Sequence, residues 1–507
     1  MPGHLQRFSL WDLGVLLVYL LFTVALGVWV GRRSRDPDRF MAAGRRVPSW
    51  AVGMSIFGTF LSSITFIALP GKAYASGWVA FTFSLSIPVA AWVATRWFVP
   101  FYRHQGHISA YTHLETRFGP WARTYAVICF LFTQLFRIGT ILYLVALAVQ
   151  PLLGWPIWSL ILLVSGAVLV YAVLGGMESV IWTDVMQSFV LIGGALLCAG
   201  ILTFGFPGGV TDLIQLAAKD GKWTLGSFAL DFRHETFPVV LLYGIFINLQ
   251  NFGVDQNYVQ RYHTAATLRQ AQSSVWIGGL LYLPISAFFL FIGTALYVWF
   301  HHHPDFMAFA PQFDAKPDKA FPYFIATALP NGVAGLLVAA ILAAAQSTIS
   351  SSVNSCATLF FCDIWPGDRK NAGSERFQLR ILRGATVVVA VMGTGIAFWM
   401  TRAQKALDVW WTGASILSGG VLGLFLTGLL MRRVRSQVAA IGVIIGVGLI
   451  GWIALSATDL WPSKWAHWRA PFHSYLAIVI GTLAILMVST LGARFPSSNS
   501  PPSSSKD

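Results

Sequence analysis

The densest run of small polar residues in this 507-residue sequence is LAAAQSTISSSVNS at 342–355, set in otherwise apolar text. Ala344, Ser347 and Thr348 are spaced i, i+3, i+4 and so share one helix face. Ser347, Ser350 and Ser351 repeat that spacing one step around. Hydroxyl and carbonyl oxygens gathered in this way suit a hard cation such as sodium. A small, hydroxyl-rich face also suits close helix packing, so the run alone leaves both readings open. Two ionisable residues stand in similarly apolar text. Asp184, in VIWTDVMQSFVL, is either a functional carboxylate at membrane depth or an interfacial acid at a helix start. Arg137, in LFTQLFRIGTIL, has Gln134 one turn earlier and no acid in its own apolar segment. A guanidinium matches a carboxylate through two parallel hydrogen bonds. Its partner is therefore an acid from another segment or a carboxylate carried by a solute. The run His301-His302-His303 reads as a solvated turn, and Trp410-Trp411 as an interfacial anchor.

These residues need a scaffold, and composition says which kind. The chain is 56% hydrophobic and only 11% charged, against about 25% charged in an ordinary soluble domain. So few charges cannot cover a soluble surface of this length, and lipid is the expected solvent. The net charge of +14 comes from short basic clusters between apolar runs, not from a block suited to reading nucleic acid. Cys129, Cys198, Cys356 and Cys362 lie in or beside apolar runs, without the spacing of a disulfide framework, redox pair or zinc site.

A helix of about 20 apolar residues crosses a bilayer. Thirteen segments qualify: 10–31, 49–68, 77–101, 123–149, 156–174, 180–205, 235–254, 273–300, 332–361, 381–401, 408–430, 438–457 and 471–491. The first is too long for the core of a signal peptide and reads as a span. The connecting loops then alternate sides, with 21 Lys/Arg on one side and 11 on the other over similar total length. The basic side is expected to be cytoplasmic, which places the N-terminus outside and the Pro/Ser-rich tail inside and disordered.

Several spans are interrupted. The second reads SIFGTFLSSITFIALPG, with Gly58, then Ser62, Ser63 and Thr65, then Pro70-Gly71. The seventh degenerates into NLQNFGVDQN at 248–257, too polar to face lipid. These breaks open two consecutive blocks of five spans. Discontinuous helices at matching positions of two halves point to a transporter binding site.

At these residues the sequence resembles the sodium/solute symporter family. LGGMES at 174–179 followed by Thr183-Asp184, DQNYVQR at 255–261 and NSCATLFFCDIW at 354–365 match family motifs in the right order. The resemblance spans the second to the eleventh segment. It implies an all-α LeuT-type fold, a five-plus-five inverted repeat. The corresponding organisation is 1–48 with an outside N-terminus and a first peripheral span, 49–206 as the first repeat, 207–234 as an external loop and 235–430 as the second repeat. Two peripheral spans at 431–491 and a cytoplasmic tail at 492–507 complete it. The family's common sodium site falls here on the carbonyls of Gly58, Leu61 and Ala344 and the hydroxyls of Ser347 and Thr348. Bacterial sialic acid symporters are similar in FLSSITFIALPGKA at 60–73, in an arginine matching Arg137, and in a second sodium site matching Asp184, Ser347, Ser350 and Ser351. In that subgroup Ser62, Ser63 and Thr65, with Gln134, would serve the solute beside Arg137. Ser84 stands near a position where the subgroup has glutamine.

The expected function is sodium-coupled import of a small organic solute by alternating access, with a carboxylate such as sialic acid or a related acidic sugar foremost. A neutral sugar or polyol symporter is the alternative, and a transporter-like sensor a distant one. No metal cluster or nucleophile–base pair suggests an enzyme. The expected partners are sodium as coupling ion, the solute and the bilayer, without nucleic acid, and the chain is expected as a monomer or weak homodimer in a cell (inner) membrane.

Overall fold

A computed structural model describes residues 8–493 except 62, 304, 366–373, 403–405 and 460; at 63–64, 406–415, 417 and 418 it describes the backbone only. Ser62, the side chains of Ser63 and of Trp410-Trp411, and the tail from 494 onward therefore lie outside the described residues.

The described residues form helices and no strand beyond one isolated bridge, Val47 to Ala265. The main helices are α1 (Leu10–Gly31), α2 (Ser49–Phe60), α3 (Ser63–Ser76), α4 (Pro120–Leu153), α5 (Ile157–Phe204), α6 (Phe237–Val254) and α7 (Gln256–Tyr262). They continue as α8 (Leu268–His302), α9 (Val333–Leu359), α10 (Glu375–Met400), α11 (Ala406–Leu430), α12 (Ser436–Ser456) and α13 (Leu476–Ala493). Nine described helices are long and apolar enough to cross a membrane, and ten if α2 and α3 count as one bent span.

All thirteen sequence segments overlap helix, with instructive differences. Segments 156–174 and 180–205 share the 48-residue α5, which bends at Gly176 (φ 57, ψ −148). A Cβ there would sit 2.5 Å from the Phe40 carbonyl oxygen, so both the backbone angle and the close approach demand glycine. Segment 77–101 is divided among Phe81–Leu85, Ile87–Val93, a π-turn at Ala94–Phe98 and Val99–Gln105. The seventh segment does not unwind at 248: α6 stays helical through Val254 and breaks at Asp255 (φ −78, ψ 118). Asn248 is buried and donates to Ser86 Oγ at 2.9 Å, while Gln250 and Asn251 are half-buried, and the helix keeps its own backbone bonds.

α9 is the axis of the bundle. Of its most apolar stretch 83% is buried, against 33–50% in the other spanning helices. It packs along α5 and also touches α1, α2, α3, α4 and α10. α2 and α3 lie along α8, while α11, α12 and α13 pack mainly on one another. Asp12 of α1 ties the outer layer to this axis. Its Oδ1 accepts the backbone N–H groups of Gly332 and Gly335 at 2.7 and 2.8 Å, and its Oδ2 accepts Ser9 Oγ at 2.6 Å. One carboxylate thus completes a capping box on α1 and satisfies amides at the start of α9.

Candidate functional site

The site is built around the place where α2 stops. α2 ends at Phe60, and Leu61 is extended (φ −88, ψ 101), so the chain turns by 57° before Thr65–Ser76 continues. The last carbonyls of a helix that ends have no intrahelical amide partner, so a break here suits carbonyl ligation. Gly58 brings this end against α9: a Cβ on it would lie 3.0 Å from Ser347 Oγ and 3.4 Å from Ser188 Oγ. On α9, Thr348 Oγ1 donates to the Ala344 carbonyl at 3.1 Å, which puts two oxygens of the expected first sodium set side by side. Ala344, Ser347 and Thr348 are all buried. The helix end and the hydroxyl face, read separately from sequence, therefore meet.

The second set is organised around Asp184, fully buried in α5 well past the bend. It is not a helix-start acid. Oδ1 accepts Ser347 Oγ at 2.7 Å, and Oδ2 accepts Ser55 Oγ of α2 at 2.5 Å and Arg261 Nη2 of α7 at 3.0 Å. Arg261 is equally buried and donates further to Ser351 Oγ at 2.7 Å, Ser55 Oγ at 2.8 Å and the Asn257 carbonyl at 2.5 Å. Asp184, Ser347 and Ser351 thus share one network. Ser350 turns back on its own helix, donating to the Ser347 carbonyl at 3.1 Å. The break between α6 and α7 delivers Arg261: Asp255 caps α7 by accepting the Asn257 N–H at 2.7 Å, and Arg261 follows within that short helix. Ser55 and Arg261 were not singled out from sequence.

Arg137 lies midway along α4, partly buried. Among the described residues its guanidinium has no hydrogen-bond partner. It is within electrostatic reach of Asp255 and Tyr258, at the α6–α7 break. Gln134, one turn away, is buried and accepts Ser352 Oγ of α9 at 2.7 Å, tying α4 to α9. Thr65 is partly buried on α3. Ser84 is buried in the third segment, two residues from the Ser86 that holds Asn248 of α6. His301 and His302 are not a free turn: they end α8 and face Asp314 and Asp220 at 3.3 and 3.0 Å. The four cysteines are buried, and none forms a disulfide among the described residues.

A helical bundle with two interrupted spans, buried oxygens at one break and a basic residue facing the other is the architecture of an ion-coupled transporter. The sodium:solute symporter family matches residues 40–446, and the chain belongs to that family. It is 33% identical to the sodium/sialic acid symporter NanT of Aliivibrio fischeri (strain ATCC 700601 / ES114), over 96% of this chain and 94% of that one. To the sodium/sialic acid symporter SiaT of Proteus mirabilis (strain HI4320) it is 31% identical, over 97% and 96%. A solved substrate-bound, outward-open Na+-coupled sialic acid symporter superposes with a TM-score of 0.86 at 30% identity, covering 96% of this chain and 98% of that one. The protein is a multi-pass, LeuT-type sodium-coupled symporter, with sodium as coupling ion; its relatives are transporters, not enzymes.

Proposed function

We propose that this symporter imports a carboxylate-bearing solute of the sialic acid class, and that Arg137 receives the carboxylate. The observation that carries this reading is the guanidinium of Arg137, partly buried beside the α6–α7 break and, among the described residues, donating no hydrogen bond. Asp255 lies within electrostatic reach and offsets the charge, but its carboxylate accepts no hydrogen bond from the guanidinium. At membrane depth the Arg137 N–H groups are therefore left for a solute carboxylate. The two sialic acid symporters at 31–33% identity support the same solute class. Thr65 and Ser84, with Ser62 and Ser63, are assigned to the solute's polar groups, and Gln134 to the orientation of Arg137's helix.

Two sodium ions accompany the solute. The first is assigned to the carbonyls of Gly58, Leu61 and Ala344 with the hydroxyls of Ser347 and Thr348. The second is assigned to Asp184, through Oδ1, with Ser347, Ser350 and Ser351. The basic loops are assigned to the cytoplasm, the N-terminus to the outside, and residues 49–206 and 235–430 to the two repeats.

The test is uptake into proteoliposomes. Arg137→Lys keeps the charge but loses the fork, so apparent affinity for sialic acid should fall by about tenfold, from the roughly 1.5–3 kcal/mol of a charged hydrogen bond. Normal transport by Arg137→Lys, or preference for an uncharged sugar, would contradict the reading.

A further inference from the structure

Two cavities of similar size open at the basic face of the bundle, and they differ in how their charges are satisfied. One, of about 460 Å³, is lined by Asp36, Asp38 and Glu178 together with Arg33, Arg39 and Arg46. Its acids are paired: Glu178 with Arg33 at 3.8 Å, Asp36 with Arg39 at 3.4 Å and Asp38 with Arg45 at 3.2 Å. The other, of about 540 Å³, lies between the end of α1, the bend of α5 and the start of α10. It is lined by Arg32, Arg35, Arg376 and Arg383, with Glu375 as its one acid. Among the described residues none of these five makes an ion pair.

The interior of this second cavity also carries unspent hydrogen-bonding capacity. Arg383 Nη2 reaches the carbonyls of Ser34 and Leu174, each at 3.5 Å, while its Nε has no partner. Ser34, 2% exposed and lining the cavity, has a hydroxyl with no partner. Four cations against one anion, with buried donors to spare, call for an anionic ligand rich in acceptor oxygens.

The neighbouring surface identifies what that anion is attached to. Val387 and Val391 follow Arg383 by one and two turns on the same face of α10, and they are 38% and 59% exposed. Leu174, also on the cavity, is 39% exposed. The basic cavity therefore lies one turn of α10 from an exposed apolar stripe on a helix long and apolar enough to cross a membrane. A soluble phosphate would use only the first part, whereas a phospholipid uses both. Basic pockets between membrane helices are a recurring site for anionic headgroups.

We propose that this cavity binds an anionic phospholipid, its phosphate among Arg32, Arg35, Arg376 and Arg383 and its acyl chains along Val387 and Val391. The bound lipid bridges α1, the bend of α5 and α10. The experiment uses the full chain in mixed phosphatidylglycerol/phosphatidylcholine nanodiscs, with retained lipid counted by native mass spectrometry. The wild type should retain phosphatidylglycerol in preference to phosphatidylcholine. Arg32→Gln with Arg376→Gln, at exposed positions whose side chains hold no hydrogen bond among the described residues, should reduce that preference on the order of tenfold. Arg33→Gln, in the internally paired cavity, should leave it unchanged. Equal retention of the two lipids by the wild type would overturn the proposal, as would an unchanged preference in the double variant. So would Arg32/Arg376-dependent binding of inorganic phosphate to delipidated protein, if phosphatidylglycerol bound no more tightly, because the site would then be one for free phosphate.

Discussion

The two sodium cages assigned on α9 use the same serine yet differ in their electrostatics. The first is assigned neutral oxygens only: carbonyls at the end of α2, and the hydroxyl of Thr348 lying 3.1 Å from the Ala344 carbonyl. The second contains the carboxylate of Asp184, which in isolation would give it a full negative charge. That charge is already balanced by Arg261, 3.0 Å away and equally buried. An acid in a membrane helix therefore does not by itself make a net negative site. With Arg261 in place, the second cage offers an incoming cation a field much closer to that of the first. Its sodium affinity must then depend on how the guanidinium shares the carboxylate.

The largest expected effect comes from breaking that pair. Arg261→Met leaves Asp184 buried without its counter-charge, and Asp184→Asn leaves the guanidinium in the same position. Either change should destabilise the protein by about 3–5 kcal/mol. The two single variants should respond oppositely to sodium. Raising sodium should recover much of the thermal stability of Arg261→Met, since the ion can take over as counter-charge, and much less of that of Asp184→Asn, where only the first cage still binds. The double variant should be more stable than either single one. If both single variants melt like the wild type in detergent, the pair does not carry the energetics assigned to it.

A smaller effect is expected at the neutral cage. Thr348→Ala removes one oxygen ligand and leaves the helix bonded, so folding should be normal. The sodium concentration for half-maximal uptake should rise by about tenfold. Unaltered sodium dependence, or uptake that proceeds undiminished without sodium or lithium in a proton-rich buffer, would remove Thr348 from the coupling site.

The smallest effect belongs to the tether outside both cages. Asp12→Ala deprives Gly332 and Gly335 of their acceptor and should cost about 1–2 kcal/mol of stability. Because Asp12 touches neither cage, sodium half-saturation should not move. A thermal melt and a sodium titration of the same preparation separate the two readouts.

How far the sequence disclosed this arrangement depended on which forces were local. The span at 10–31 coincides with α1, because an apolar run bounded by a Ser9–Asp12 capping box leaves the ends little choice. The meeting of Ser347 with Asp184 was prefigured by helical spacing together with the family resemblance. Other boundaries were hidden. α8 begins at Leu268 rather than 273, since the Thr267–Gln270 capping box starts the helix in polar text that hydropathy passes over. α10 likewise starts at Glu375, before its apolar run at 381. Arg261 was concealed for a different reason. It sits in text that reads as a basic loop, and only the short α7 beyond the Asp255 break carries it to full burial beside Asp184. Ser55 was missed because a single serine among apolar residues has no periodic signal; its partner is 129 positions away.

The most direct test of the central claim, that both cages load sodium during one transport cycle, is the ratio of net charge to solute moved in proteoliposomes. A potential of about 100 mV is worth about 2.3 kcal/mol per charge, and a tenfold sodium gradient about 1.4 kcal/mol per ion. One sodium carrying a monovalent anion is electroneutral and leaves only the 1.4 kcal/mol of the gradient, about tenfold accumulation. Two sodium ions bring the potential into play and supply about 5 kcal/mol, enough for several-thousand-fold accumulation. One net positive charge should enter with each sialic acid, an inside-negative potential should accelerate uptake, and the sodium Hill coefficient should be well above one. Electroneutral uptake with a Hill coefficient near one would contradict that claim.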